Sequence, residues 1–198
     1  ISINGGVDMI LTNAATQTQN FTLSFVVDDS NSCENFSSGD EITDYSLSLY
    51  RSGVGSTTCD HITGTYDANN CYPSPVGSTT WDISCAATTT PSDCTGADDA
   101  DQTWECTFPL WYIADPTDDF ATATPYSTQD WRAEIVAVDD DFATSTPVES
   151  TTNVDLLGLL AFALDDLEIA YGAIEPGSDT GTLSASTTMR ATGNVGID

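Results

Sequence analysis

The sequence predicts an all-β protein built around a β-sandwich, and three observations carry that prediction. Apolar and polar residues alternate in several segments, which is the period of a strand with one buried face. Clusters of Gly, Pro, Asn, Asp and Ser separate these segments, and such residues form turns. Six cysteines lie between Cys33 and Cys106, an even number typical of a disulfide framework.

The alternating segments follow one another along the chain, and each has one apolar face. In order, these faces are Phe21, Leu23, Phe25 and Val27; Tyr45, Leu47 and Leu49; Trp81, Ile83 and Cys85; Trp104, Cys106, Phe108, Leu110 and Tyr112; and Trp131, Ala133 and Ile135. Six or seven strands over roughly 160 residues are typical of an immunoglobulin-like β-sandwich. We therefore expect an N-terminal strand segment at 1–18, a Cys-bearing sandwich at 19–165 and an incomplete second β-sandwich unit at 166–198.

The longest apolar run extends from Val154 to Leu164 and includes Asp155. It is too short to cross a bilayer, since a spanning helix needs about 20 residues, so we expect no membrane insertion. A strand that is apolar on both faces needs a cover on each side, here its own sandwich and either the second unit or another molecule. A short buried helix at the junction is the alternative.

Beyond this run, the sequence predicts a strand, a Pro-Gly turn, a strand, a Gly-Asn turn and the start of a further strand at Val195. A three-stranded piece with an open edge cannot close a core of its own. We expect Val195 and Ile197 to lie at an edge that another strand completes.

The cysteines predict an oxidising environment. No CxxC pair occurs and His61 is the one histidine, which argues against structural zinc. Three disulfides place the protein outside the cytoplasm. Cys59 and Cys71 lie in one long loop and are expected to pair, which leaves near the opposite pole Cys33, Cys85, Cys94 and Cys106. The chain begins without Met or a signal peptide, which indicates a mature or trimmed form.

The charge of the chain excludes one class of partner. It carries 31 acidic and 3 basic residues, a net charge of −28. Nucleic acids and anionic membrane surfaces are bound through basic patches, so neither is an expected partner. Bound divalent cations or a very salty medium could neutralise the acids. The plainest alternative is that acidic loops keep a surface protein soluble.

The acids are mostly Asp, and strands that run up and down would gather them at two poles. One pole would hold Asp28, Asp29, Asp44, Asp139, Asp140 and Asp141, and the other Asp115, Asp118 and Asp119 together with Asp165 and Asp166. Clustered carboxylates repel one another unless a cation bridges them, and Ca²⁺ accepts six to eight oxygens in loose geometry. We therefore expect calcium at these poles. The alternative is that the Asp side chains cap turns.

Catalytic motifs are absent from the sequence, since neither G-x-S-x-G nor H-E-x-x-H occurs, and we do not expect an enzyme. Trp81, Trp104 and Trp131 lie on core faces. Trp111 lies on the opposite face beside Pro109 and is expected either to be exposed or to be covered by something else. An exposed aromatic residue can bind a sugar or a neighbouring subunit, and we favour the neighbour.

Two segments near the C-terminus, "YGAIEPGSDTG" and "STTMRATGNVGID", resemble a recurring segment of immunoglobulin-like repeats in long bacterial surface proteins. The stretches "LYRSGVG", "NNCYP", "ADPTD" and "AVDDDFAT" are similar to a Cys-bearing sandwich module that accompanies that segment in small-genome, uncultured bacteria. The resemblance implies a secreted or cell-surface structural module. In that family the second unit runs on for several more strands, and here it does not.

These inferences combine into one functional hypothesis. The N-terminal segment, with Ile1 and Ile3, could add a strand to the open edge of a neighbour, which makes a head-to-tail contact that propagates. We expect a structural subunit of an extracellular filament or surface layer, with copies of itself as partners. Deletion of residues 1–12 should then leave the sandwich folded and abolish polymers. The alternative is a repeat fragment of a large cell-surface adhesin that binds a glycan or protein ligand.

Overall fold

The computed structural model of the chain describes residues 1–12, 18–28, 42–74, 81, 83–88, 101–118, 125–139, 142–168, 173, 175–179 and 186–195. Within these residues the structure is an all-β sandwich, in which two four-stranded antiparallel sheets pack face to face and a two-stranded sheet follows. One turn of 3₁₀-helix, Asn4–Gly6, interrupts the strands. No helix in this part of the chain is long and apolar enough to span a membrane.

The described strands, in chain order, are β1 (Ser2–Ile3), β2 (Thr18–Asp28), β3 (Ile42–Arg51), β4 (Cys71–Ser74), β5 (Ser84–Ala87), β6 (Asp101–Trp111), β7 (Trp131–Asp139), β8 (Val148–Glu149), β9 (Phe162–Leu164) and β10 (Met189–Ala191). Sheet A has the order β1-β2-β6-β5 and sheet B the order β4-β3-β7-β8, while β9 pairs with β10.

The long strands set the two poles of the sandwich. In sheet A, β2 pairs with β6 along its whole length, from Thr18 opposite Trp111 to Asp28 opposite Asp101. In sheet B, β3 pairs with β7 and brings Ile42 opposite Asp139 at the corresponding end. We call the end with Asp28 and Asp139 the acidic pole, and the end with Trp111 the junction pole.

The predicted apolar faces form the core. They supply most of the buried residues of the core cluster, among them Leu23, Leu47, Leu49, Phe108, Leu110 and Trp131. Trp81 is also buried, although it precedes β5, and its indole N–H donates to the carbonyl of Pro109 at 2.8 Å. The alternating pattern in the sequence therefore predicted the long strands and most of their inner faces, although Tyr112 lies beyond the end of β6 and outside the core cluster.

The N-terminal segment completes its own sandwich. Ser2 and Ile3 pair with Ser24 and Leu23 of β2, which makes β1 an edge strand of sheet A. Ile3, Met9 and Leu11 belong to the buried core cluster. Donation of this segment to a neighbour would require these three side chains to leave their own core.

Two disulfides join described cysteines, and none of these cysteines is free. The predicted bond between Cys59 and Cys71 is confirmed. Cys85 bonds to Cys106, which lies directly opposite on the adjacent strand. This pair lies midway along β6 and not at a pole as expected, because β5 pairs beside the centre of β6. Cys33 and Cys94 lie outside the described residues.

The apolar run is an extended segment and not the alternative helix. Val154, Leu156 and Ala161 are buried, whereas Leu160 and Phe162 are more than half exposed. One part of the run is therefore covered by its own sandwich, as predicted, and the outer part presents apolar side chains to solvent.

Candidate association surfaces

The first part of the run is held at the junction pole by backbone hydrogen bonds on two sides. Leu156 forms a parallel bridge with Met9. The Met9 N–H donates to the Asp155 carbonyl at 2.7 Å, and the Leu157 N–H donates to the Met9 carbonyl at 2.9 Å. On the other side the Thr117 N–H donates to the Leu156 carbonyl at 3.0 Å. The first part of the run is therefore an integral part of the sandwich, and only the residues that follow it extend beyond the sandwich.

The second part of the run forms a two-stranded ribbon with the last described residues. We call Leu159–Leu164 together with Met189–Val195 the ribbon. Leu164, Ala163 and Phe162 lie opposite Met189, Arg190 and Ala191. The pairing continues toward the sandwich, because the Thr192 N–H donates to the Ala161 carbonyl at 2.9 Å.

The predicted Gly-Asn turn anchors this ribbon. The Asn194 side chain accepts the Leu159 N–H at 2.6 Å and donates to the Leu157 carbonyl at 3.2 Å. A Cβ atom on Gly193 would overlap the Leu159 carbonyl oxygen and lie 2.7 Å from the Ala161 nitrogen. Only glycine allows the two backbones to approach this closely. The predicted Pro-Gly turn is also present, since the Ser178 N–H donates to the Glu175 carbonyl at 3.1 Å.

One face of the ribbon is apolar and exposed. We call Leu160, Phe162, Leu164 and Met189 the apolar stripe. Leu160, Phe162 and Leu164 have strand spacing and point to the same face, and Met189 lies opposite Leu164. Their exposed fractions are 56%, 53%, 38% and 52%. A contiguous exposed apolar surface of this kind marks an interaction site.

The ribbon also carries the most exposed arginine of the chain. The Arg190 guanidinium contacts the Asp165 carboxylate at 2.7 Å, and its side chain remains 67% exposed. Arg51, by contrast, is 8% exposed and pairs with Asp115. Arg132 pairs with Asp130 and Glu149.

A second apolar surface lies near the acidic pole. We call the opening between the edges of the two sheets the β2 slot. Its lining comes from the first residue of the chain, from β2 and β7, and from the segment that leads into β8. The lining side chains are mostly apolar, and the polar ones are Asp28 and Ser145. Val26, on the adjacent outer face of β2, is 58% exposed, and Val148 is 53% exposed.

The edge of β2 is incompletely paired beside this slot. β1 covers only Leu23 and Ser24 of β2. Residues Val26 to Asp28 pair with β6 on one side, and among the described residues no strand pairs with their other side. An exposed strand edge above an apolar slot can accept another strand.

Phe142 marks the turn that leads from β7 toward the slot. It is 85% exposed and has a φ of 64°, a left-handed conformation that is unusual for a bulky residue. The turn is held by Asp139, whose carboxylate accepts the Ala143 N–H at 2.7 Å. Such conformations cost about 1–3 kcal/mol and cluster at functional sites.

Seven of the aspartates expected at the two poles lie among the described residues, namely Asp28, Asp44, Asp115, Asp118, Asp139, Asp165 and Asp166. Asp28 and Asp139 lie at the acidic pole. Asp115 pairs with Arg51 at 3.0 Å, and Asp165 pairs with Arg190. The Asp118 carboxylate accepts the Gly158 N–H at 2.9 Å. Asp29, Asp140 and Asp141 lie outside the described residues.

In the part of the chain that the structure describes, no three His, Cys, Asp or Glu side chains are grouped so that they could hold a metal ion. Asp115 and Asp165 are already neutralised by arginines, and Asp139 caps a turn, as the alternative reading of these residues expects. Calcium binding stays a prediction.

The junction pole also brings Asp118, which the sequence analysis selected, near Asp155 and Asp8, which it did not select. Burial raises the pKa of the Asp155 carboxyl above its ordinary value, and the nearby Asp8 and Asp118 carboxylates raise it further. A hydrogen bond from the Thr117 hydroxyl, at 2.9 Å, opposes the rise. The Asp8 carboxylate in turn accepts the Asp155 N–H at 3.1 Å. The sequence signals for this cluster were Asp118 at the predicted pole and Asp155 within the apolar run.

The residues predicted as an interface have mixed placements. Ile3 is fully buried, and Ile1 and Trp111 are partly buried against the core of their own sandwich. Of the two alternatives for Trp111, exposure or cover by another part of the structure, its partial burial against the core fits the second. Val195 is part of the ribbon, where its N–H donates to the Leu159 carbonyl at 3.3 Å. Ile197 lies outside the described residues.

Comparisons with known proteins add no further assignment. No family model matches the chain, and no curated protein or solved structure matches it significantly.

Proposed function

We propose that this chain is a structural module of an extracellular protein and that it assembles head to tail into a filament or surface layer. The observation that carries the proposal is the apolar stripe, four large side chains exposed on a two-stranded ribbon. A two-stranded sheet is marginally stable alone, and contact with a neighbour would both cover the stripe and stabilise the ribbon.

The disulfides support the extracellular part of the proposal. Disulfides persist in oxidising compartments, and here they fasten one loop and one edge strand. The strong negative charge limits non-specific association, because like-charged modules repel one another unless a specific surface holds them. Assembly should therefore depend on the stripe.

The association surface in this proposal is the ribbon and not the N-terminal segment. Ile3 and Met9 are fully buried in their own sandwich. The stripe, in contrast, is exposed without any rearrangement, so assembly through the ribbon needs no partial unfolding of the sandwich.

The test is sedimentation velocity and electron microscopy of the full chain over a range of concentrations. We expect the wild type to polymerise and Phe162→Asp to remain monomeric. Ile62→Asp is the matched control, since Ile62 is 74% exposed in the loop closed by Cys59 and Cys71. Single particles from the wild type, or polymers from Phe162→Asp, would contradict the proposal.

An adhesin module is the second candidate function, and the same loop favours it. The disulfide fastens the loop, and the Asp60 carboxylate accepts the N–H groups of Ile62 at 2.6 Å and Thr63 at 2.8 Å. A rigid loop with an exposed Ile62 suits recognition of a protein ligand. A glycan-stacking site gains no support from the tryptophans, which are all buried in or packed against the core. A native mass far above 20.9 kDa with no polymer would favour the adhesin.

A further inference from the structure

The segment Asn20-Phe21-Thr22 in β2 has a motif that the proposed function does not use. An Asn followed two residues later by Ser or Thr, with any residue except Pro between them, is the acceptor sequence for N-linked glycosylation. A second match, Asn35-Phe36-Ser37, lies outside the described residues. Asn20 is therefore the acceptor whose surroundings the structure describes.

The alternation of β2 turns both reactive residues of this motif outward. Phe21 is 6% exposed and packs in the core, whereas Asn20 and Thr22 lie on the opposite face of the strand and are exposed. A motif shifted by one residue along the same strand would place its Asn in the core. The outer face of sheet A therefore presents the Asn20 amide where a bulky group can be attached without disturbing the fold.

The fold gives the Asn20 side chain no other role. Asn is depleted in strands, since its short amide packs poorly on a pleated surface and competes for backbone hydrogen bonds. Within the described part of the chain the Asn20 side chain makes no hydrogen bond. The adjacent Gln19 side chain, by contrast, donates to the Ile10 carbonyl at 2.7 Å and accepts the Thr12 N–H at 2.7 Å. Packing and hydrogen bonding thus explain Gln19 and leave Asn20 unexplained.

We propose that Asn20 carries an N-linked oligosaccharide on the outer face of sheet A. The donor is an oligosaccharide joined to a lipid through a diphosphate, and a transferase delivers it. A bond forms between the Asn20 amide nitrogen and the anomeric carbon of the sugar, the bond from that carbon to the diphosphate oxygen breaks, and the amide proton passes to a base of the transferase. This inference rests on the extracellular part of the proposed function and does not depend on assembly.

The outer face of sheet A has room for the sugars. Thr22, Thr107 and Ser84 lie side by side on three adjacent strands, and all three are exposed. They line a hollow of about 760 Å³ together with small residues and the carboxylate of Glu105. Hydroxyl and carboxylate oxygens are hydrogen-bond partners for sugar hydroxyl groups. Asn20 lies about 7 Å from Thr22 on the same face, so a sugar attached there begins beside the hollow.

The pairing of β2 sets when the sugar is added. Asn20 and Thr22 lie directly opposite Pro109 and Thr107 of β6. A transferase can hold the motif in its active site only while this segment is detached from β6. The sugar is therefore added during export, before the sandwich closes, and the folded protein has only to accommodate the product.

The test is peptide mass spectrometry of the native protein from its source. Variants of the full chain are secreted from a host that has an oligosaccharyltransferase. We expect an oligosaccharide on the peptide that contains Asn20 in the native chain and in the secreted wild type. Asn20→Gln and Thr22→Ala should each lose it, whereas Thr22→Ser, which keeps the motif at the same exposed position, should retain it. Ser24→Ala, on the same strand but outside the motif, should also retain it.

Other outcomes separate this inference from the proposed function. A native chain in which the Cys59–Cys71 bond is formed and Asn20 is unmodified would overturn the inference and leave the extracellular proposal standing. Sugar that persists in Thr22→Ala would overturn it as well, because attachment would then be independent of the motif. A native chain whose cysteines are reduced would remove the extracellular proposal and the inference together.

Discussion

Met9 and Leu156 form a parallel bridge that joins the N-terminal segment to the segment leading into the ribbon. Both side chains are fully buried, and backbone hydrogen bonds flank them on each side. A further hydrogen bond joins the two segments, in which the Asp155 N–H donates to the Asp8 carboxylate. These two residues are 147 positions apart in the sequence. The N-terminus and the base of the ribbon therefore form one packed unit.

The first prediction concerns the N-terminal segment. Deletion of residues 1–12 removes Ile3, Met9 and Leu11 from the core, so we expect loss of cooperative folding and not a folded module that fails to polymerise. Met9→Ala is the milder test and should lower the free energy of unfolding by about 2–5 kcal/mol. Urea denaturation measures both.

Val7→Ala is the control for that prediction, since Val7 is 65% exposed in the same segment. Its effect should stay within about 0.5 kcal/mol. A deletion variant as stable as the wild type would show that the segment is dispensable and therefore available for donation.

The sequence predicted the long strands and the core faces because strict alternation over eight or more residues is a strong signal, as in β2 and β6. It missed β4, because Cys71–Ser74 lies within a loop-like region and contains Pro73. It also missed the two-residue edge strand β8, and although it predicted an N-terminal strand segment, it did not predict that β1 pairs with β2 of its own sandwich.

The candidate surfaces were harder to predict. Leu160, Phe162 and Leu164 have the same alternation as a core strand. The sequence predicts that such a strand has an apolar face, but it does not say whether that face is buried within the fold or exposed. The ion pairs of Asp115 and Asp165 likewise depend on where the arginines fold. Calcium was inferred from the clustering of carboxylates. In the structure, arginines and backbone N–H groups are partners of several of these carboxylates.

The second prediction concerns Arg51, which is held at the junction pole by several contacts. It pairs with Asp115 at 3.0 Å, lies 3.7 Å from the centroid of the Tyr126 ring and donates to Gln129. Arg51→Ala should lower the free energy of unfolding by about 3–5 kcal/mol, because it leaves the partly buried Asp115 without its cation.

Arg190→Ala provides the matched control. Its side chain is 67% exposed and pairs with Asp165, whose side chain is 39% exposed, so solvent and salt screen the interaction. The expected loss is at most about 1 kcal/mol. If urea denaturation shows that the two arginine variants lose equal free energy of unfolding, the distinction between the partly buried and the exposed ion pair is wrong.

The third prediction concerns pH. Burial raises the pKa values of Asp155 and Asp115 in the folded state. A carboxyl whose folded pKa is raised stabilises the fold when protonated, and this contribution is lost as pH rises through the folded pKa. The melting temperature should therefore rise as the pH falls from about 7 to about 4, since self-repulsion of the acidic chain falls in the same window.

Asp155→Asn separates the local effect from the general one. The amide oxygen can still accept the Thr117 hydroxyl, while the buried charge is gone. The variant should be more stable than the wild type at neutral pH and show a flatter pH profile. Hydrogen bonds to Thr63 lower the pKa of Asp60, so ionised Asp60 stabilises the fold. This contribution is lost only as the pH falls below the ordinary pKa of the group. If the melting temperature of Asp155→Asn depends on pH as that of the wild type does, Asp155 is not the source of the local effect.

The fourth prediction concerns calcium at the acidic pole. If Asp28 and Asp139 bind Ca²⁺ together with other oxygens, saturation at 100 times the dissociation constant should stabilise the fold by about 2.7 kcal/mol. The measurement is thermal melting with Ca²⁺ or with a chelator at fixed ionic strength. Asp28→Asn should remove the shift, and an equal response to Na⁺ would indicate charge screening instead.

The fifth prediction concerns the anchor of the ribbon. Gly193→Ala introduces a Cβ atom against the Leu159 carbonyl and the Ala161 nitrogen, which are backbone atoms and cannot rotate away. We expect the ribbon to separate from its base while the sandwich stays folded. Hydrogen exchange of the Leu159 amide should accelerate by at least about tenfold, since its hydrogen bond to Asn194 is lost, and polymerisation should fail in parallel. Ser186→Ala, at an exposed position outside the anchor, should change neither quantity. A Gly193→Ala chain that keeps slow exchange and still polymerises would show that the close approach of the two backbones is not what positions the apolar stripe.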